Sequence, residues 1–202
     1  MRARNLSRRF LSIGVVCILV AALAACTGRG GGYLAPDGAF TGRANLGFAF
    51  SCEDKGGLNP PTGQLRIQVS YADRGSGPVV KGPFSIHGIV DVLPAVVESA
   101  VCIGQEPPPG GSELIFLGRF RPTSTTRPGG FPKACPTKAT VTSPLCRFEV
   151  VVQDNDGNLA PSKGDYFSIQ LSNATAFASE LDPTTVFYAR AGYLAGGNLS
   201  VD

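Results

Sequence analysis

From residue 64 onward the chain alternates apolar and polar side chains in short runs. Gln64 to Ala72 reads QLRIQVSYA, with Leu65, Ile67, Val69 and Tyr71 set between polar neighbours. Phe84, Ile86, Gly88 and Val90 keep that period. So do Phe148, Val150 and Val152 within Arg147 to Val152, and Phe167, Ile169 and Leu171 within Tyr166 to Leu171. The final runs are Phe187 to Leu194 and Leu199 to Val201. A period of two marks strands with one buried face. No window carries a capped helical stripe. Val96 to Val101 has the length of one helical turn, but its branched residues favour a strand. Sixteen prolines and 26 glycines punctuate these runs. The stretch from Gln105 to Ser112 and the Thr-, Pro- and Gly-rich segment from Pro122 to Pro132 read as loops. Short strands at intervals of about 10 to 20 residues predict an all-β fold. The expectation is an antiparallel β-sandwich or barrel-like domain of about eight strands, following a cleaved N-terminal signal helix.

The first 26 residues have a different character. Arg2, Arg4, Arg8 and Arg9 form a basic head, an apolar run extends from Phe10 to Ala25, and Leu23-Ala24-Ala25-Cys26 closes the segment. A membrane-spanning helix needs about 20 apolar residues, more than this run holds. The segment resembles bacterial lipoprotein signals, in which cleavage leaves the cysteine as a lipidated first residue. That reading divides the chain into a signal peptide (1–25), a Gly-rich tether (26–41) and one β-domain (42–202). It places the protein outside the cytoplasm, on the cell membrane or in the cell envelope, and assigns lipidation to Cys26.

Removing the signal changes the charge balance. The whole chain has 18 basic and 15 acidic residues. Four of the basic residues precede Cys26 and no acidic one does, leaving 14 against 15. The apparent basicity belongs to the targeting segment. No basic patch remains to suggest nucleic acid as a partner.

Six cysteines reduce to four when Cys17 in the signal and Cys26 are set aside. Cys52, Cys102, Cys135 and Cys146 in an exported chain read as two disulfides, with three pairings open. Cys135 with Cys146 is favoured, because Pro136 and Pro144 can turn the short loop between them. Cys52 would then join Cys102. A zinc site is disfavoured: there is no C-x-x-C pair, and His87 is the only histidine.

One family resemblance lies in the mature part. Pro61-Thr62-Gly63-Gln64-Leu65 stands near its start. Phe148 to Asn155 leads through a Gly-containing turn to Asp165-Tyr166-Phe167-Ser168-Ile169. Gly196-Gly197-Asn198-Leu199 stands near the end. Over about residues 42 to 202 this resembles the post-COAP domain of bacterial secreted proteins. The resemblance implies a β-rich fold and no defined activity. Asp156 departs from the family's Asp-Asn-Gly turn, and the cysteines and the central Thr/Pro/Gly segment are additions to it.

The densest oxygen cluster is Asp154-Asn155-Asp156-Gly157-Asn158, with Asp165 beyond it. Calcium takes six to eight oxygens from such groups, so Asp154, Asp156 and Asp165 are candidate ligands. The competing reading is a turn, since Asp, Asn and Gly dominate turns for backbone reasons. Calcium is the one cofactor these residues suggest, and none is required. His87 follows Ile86 in an alternating run and is expected to project toward solvent. No Gly-x-Ser-x-Gly elbow accompanies it. The expected role is therefore structural or binding, without catalysis. The expected partners are the membrane, through the anchor, and an envelope protein or glycan. The rivals are a glycan-binding module, signalled by a row of exposed tyrosines, and an unrecognised hydrolase, signalled by His87 or an acid pair in a concave pocket.

Overall fold

A computed structural model describes residues 26–53, 64–89, 112–140, 143–155, 164–176 and 181–201. They form an all-β domain of antiparallel strands. In chain order these are β1 (Cys26–Leu34), β2 (Ala44–Glu53), β3 (Gln64–Asp73), β4 (Phe84–Ile89), β5 (Glu113–Pro122), β6 (Cys146–Gln153), β7 (Tyr166–Ser172), β8 (Val186–Tyr193) and β9 (Gly196–Val201). One 3-10 turn, Pro183–Thr185, precedes β8. The strands make a single sheet in the order β8-β7-β6-β5-β4-β3-β2-β1-β9. Eight strands run as an up-and-down meander, and β9 returns to pair with β1. The signal segment, Cys102, the run from Val96 to Val101 and Asp156 lie outside the described residues.

The sheet curls around an aromatic interior. Leu46, Phe48 and Phe50 of β2 point inward, as do Ile67, Val69 and Tyr71 of β3. Phe148, Val150 and Val152 of β6 and Phe167, Ile169 and Leu171 of β7 are fully buried, so the period-two residues of these runs are core residues as expected. Phe116 packs against Phe48, Phe50 and Phe148, with centroids 5.3 to 6.1 Å apart. Burying each such ring stabilises the fold by roughly 1.5 to 3 kcal/mol.

Three strands depart from the simple alternation. The Gly-rich stretch expected as a tether is strand β1, hydrogen-bonded to β2 from Cys26 to Leu34 and to β9 from Gly28 to Tyr33. The missing side chains are what let it in. A Cβ on Gly28 would stand 2.6 Å from Leu114 Cδ2, and one on Gly197, whose φ is +114°, would collide with the Gly31 carbonyl. Strand β2 escapes notice because its outward positions include Gly47 and Ala49, which blur the polar half of the pattern. Strand β5 carries apolar residues on both faces: Leu114 and Phe116 face the core, while Leu117, of opposite parity, is also buried among the charged outer positions Glu113, Arg119 and Arg121.

A buried polar network ties β3 to β8 across the interior. Arg190 Nη1 donates to Asp73 Oδ2 at 2.9 Å, and the Tyr188 hydroxyl donates to the same oxygen at 2.6 Å. The Tyr71 and Tyr188 hydroxyls share a hydrogen bond of 2.5 Å. Arg190 Nη2 donates to the carbonyls of Ala35 and Gly42, and its guanidinium lies 4.5 Å over the Phe40 ring. The Gly75 amide donates to Asp73 Oδ1. The Asp73 and Arg190 side chains are 1–2% exposed.

Burial raises both phenol pKa values well above the ordinary tyrosine range. At Tyr188, the neighbouring Tyr71 and the bond to Asp73 add to the shift. Above about pH 10 an unfolded chain releases these two protons while the folded chain keeps them. The stability they contribute is whole below that pH and declines as pH rises beyond it. In a spectrophotometric titration, two phenolate equivalents should therefore appear only together with loss of the near-ultraviolet dichroism. Their appearance in the folded state would contradict the burial of this pair. Independently, Asp73→Ala leaves a buried guanidinium without its carboxylate, which costs about 3 to 5 kcal/mol. For a domain of this size the melting temperature should fall by about 10 °C. A fall within 2 °C would show that the pair does not hold β3 to β8.

Candidate functional site

Asp154, just after β6, and Asp165, just before β7, fasten the returning strand β9. Asp165 is 4% exposed. Its Oδ1 accepts from the Asn155 amide at 3.0 Å, and its Oδ2 accepts from the Leu199 amide at 2.6 Å. Asp154 Oδ2 accepts from the Val201 amide at 3.3 Å. Alternate amides of β9 thus meet carboxylates instead of a neighbouring strand. The Leu194 amide donates to the Asp165 carbonyl, and the Ala195 amide to that of Tyr33, guiding the chain from β8 into β9. Two of the three candidate calcium ligands are thereby engaged with backbone. Among the described residues no three metal-ligating side chains converge.

The cysteines take two arrangements. Cys135 and Cys146 form a disulfide, both residues fully buried, as favoured from their spacing. It pins the loop after β5 over the core, where Phe131 packs edge-on against Phe84, Phe120 and Phe187. Cys52 stands opposite Cys26 in the β1–β2 register. The expected bond from Cys52 to Cys102 involves a residue outside those described.

His87 is exposed on β4 while Ile86 beside it is 1% exposed, so the histidine faces outward as the alternation requires. It belongs to a transverse row. Gly31 pairs with Gly47, Gly47 with Ser70, Ser70 with His87, and His87 with Arg121. This row lies on the outer face of five adjacent strands. Around it runs an open groove of about 590 Å³, lined by Gly47, Ala49, Gln68, Ser70, His87 and Arg121 among others. None of the described side chains lining it is a carboxylate. Only the position of His87 in an alternating run pointed to this groove. The rest of the row depends on register, which no local pattern reveals. A second cavity of about 300 Å³ lies between β4 and the loop after β5. There Arg127 donates to the Pro132 carbonyl and covers the Phe131 ring, which makes it a brace for that loop.

The tyrosines divide by face. Tyr71 and Tyr188 are core residues. Tyr166 and Tyr193 are cross-strand neighbours on β7 and β8, with centroids 5.5 Å apart, and Tyr193 is 46% exposed. Tyr33 is half-buried beneath the Arg43 guanidinium, 4.8 Å from its centroid.

Asp165→Ala orphans two amides, one of them in the buried closure, at about 1 to 3 kcal/mol for each group left unsatisfied. The melting temperature of the calcium-free protein should drop by several degrees. An unchanged calcium-free transition, paired with loss of a calcium-dependent rise in the wild type, would instead identify Asp165 as a metal ligand. Neither a protein-family model, nor a curated protein, nor a solved structure matches this chain.

Proposed function

We propose that the protein is an exported, lipid-anchored module of the cell envelope that binds and does not catalyse. The observation that carries the placement is the buried Cys135–Cys146 disulfide. Such bonds persist in oxidising compartments and are rare in the cytosol. The basic head, apolar run and Leu-Ala-Ala-Cys of residues 1–26 point the same way. The resemblance of the mature part to post-COAP domains supports a secreted, β-rich module. Two motif positions of that resemblance, Asp165 and Leu199, are bonded to each other at the closure of the sheet.

Binding is favoured over hydrolysis by the chemistry around His87. Its cross-strand neighbours are Ser70 and Arg121. A Ser/His nucleophile needs the serine on an exposed turn, an acid orienting the imidazole and free amides for the oxyanion. Ser70 lies within a strand paired on both sides, where the ladder engages the amides. A glycan is the favoured ligand class, because Tyr193, exposed and packed edge-on against the half-buried Tyr166, offers an aromatic ring for stacking against a sugar.

An anchor at Cys26 departs from the beginning of β1 without a tether, so the lipid and the barrel are directly joined. Two acyl chains give stable membrane attachment where one is marginal. Cys26→Ala should move the protein from the membrane fraction to the soluble fraction, or leave an uncleaved precursor. Unchanged membrane partition with normal processing would rule out lipidation at this cysteine.

A further inference from the structure

Gly47 sits in the interior of β2, paired on both sides, with Gly31 of β1 and Ser70 of β3 as its neighbours. A glycine there weakens the strand relative to a residue with a side chain. Close packing demands most other strand glycines, such as Gly28, Gly32, Gly88 and Gly118, though not Gly192 of β8, which faces Leu34 at 3.7 Å. Nor does it demand Gly47: a Cβ built there meets only the Gly30 carbonyl, at 3.8 Å, an ordinary van der Waals contact. Its backbone needs no left-handed conformation either. The fold leaves this position free to carry a side chain, and it carries none. Strand glycines without an internal reason mark places where something outside approaches the backbone closely.

What surrounds Gly47 identifies the visitor. Ala49 extends the bare floor along β2, and Gln68, Ser70, His87 and Arg121 rise beside it as hydrogen-bonding side chains, all exposed. No carboxylate is among the described lining residues; positive charge comes from Arg121 in the lining and from the exposed Arg29, which pairs with Ala49 at the rim. A guanidinium is a planar fork matched to a carboxylate. The strands under the groove are hydrogen-bonded on both sides, so a peptide cannot be recognised there by adding a strand, which requires a free edge. A flat, hydroxyl-rich ring laid on the sheet face meets no such obstacle. From these features, and resting on the binding role proposed above, we infer that the outer groove over Gly47 binds a carboxylated saccharide. One ring lies on Gly47 and Ala49 with its hydroxyls toward Gln68 and Ser70, and the carboxylate of the next ring along the chain meets Arg121 beside His87.

The test uses the full chain, extracted from membranes in detergent and titrated calorimetrically with trigalacturonate, with its methyl ester and with hexaglutamate. The wild type should bind the acid more tightly than the ester and leave the peptide unbound. Arg121→Gln should weaken the acid about tenfold, the loss of one charge-assisted pair, and leave the ester unchanged. Gly47→Val should weaken both saccharides at least as much by filling the floor. It should do so without lowering the melting temperature, since replacing an unstrained glycine stabilises through the unfolded state. Three results would overturn the inference: no saccharide bound by the wild type, equal affinity for acid and ester, or undiminished binding by a folded Gly47→Val protein. Tighter binding of hexaglutamate would overturn it in favour of an acidic peptide. A chain that remains in the membrane fraction yet ignores uronate defeats this assignment alone and leaves the envelope placement standing.

Discussion

The ion pair between Asp73 and Arg190 is the contact on which the shape of the molecule depends. The strands that carry it stand five places apart in the sheet, so the two side chains can meet only if the sheet curls. Two buried charges are costly to desolvate, and their attraction offsets that cost only when other hydrogen bonds complete the shell. Here they do. Asp73 receives Arg190, the Tyr188 hydroxyl and the Gly75 amide, while Arg190 reaches two carbonyls of the segment between β1 and β2. Apolar residues of equal volume could fill the same space. They would not select one curvature, nor draw the segment from Ala35 to Gly42 onto the end of the curled sheet.

Curling brings β9 back beside the end of β7, and this creates a second problem with its own solution. An edge strand with unpaired amides invites pairing with another chain. The Leu199 and Val201 amides are capped by Asp165 and Asp154, so two carboxylates substitute for a ladder. The glycines of β1 belong to the same device. They allow β9 to approach closely enough for its outer edge to reach those carboxylates. Charge at the turn, small residues in β1 and the curvature imposed by Asp73 and Arg190 are thus mutually dependent.

The fold class could be read from the chain because most strands have one dry and one wet face. Phe148, Val150 and Val152 alternate for that reason, and all three are fully buried. The strands that escaped detection are those whose outer positions mix polar residues with glycine, alanine or buried apolar ones. In β1 and β2 the outward residues include glycine and alanine, and in β5 Leu117 is buried beside inward-facing Phe116. The short-range disulfide was legible because its closing loop is local. The Asp73 to Arg190 pair was not, since 117 residues separate the partners and nothing in either neighbourhood announces the other. The same limit applies to the outer groove. His87 showed its orientation through Ile86, but Gly31, Gly47, Ser70 and Arg121 become one row only through five strands in register.

That register also gives the two proposals a common geometry. Cys26 opens β1, and Gly31, at the end of the transverse row, lies five positions further along the same strand. At about 3.3 Å per residue the groove row stands roughly 16 Å from the anchoring residue, less when the strand tilts as barrel strands do. A flexible tether would let the domain sample any height above the lipid surface. With β1 built into the sheet from Cys26 onward, a lipid on Cys26, as proposed, would leave the height to be set by the strand itself and hold the face bearing Gly47 and Arg121 beside the membrane. A site so placed meets polymers that lie against the envelope surface and is poorly positioned for those further out.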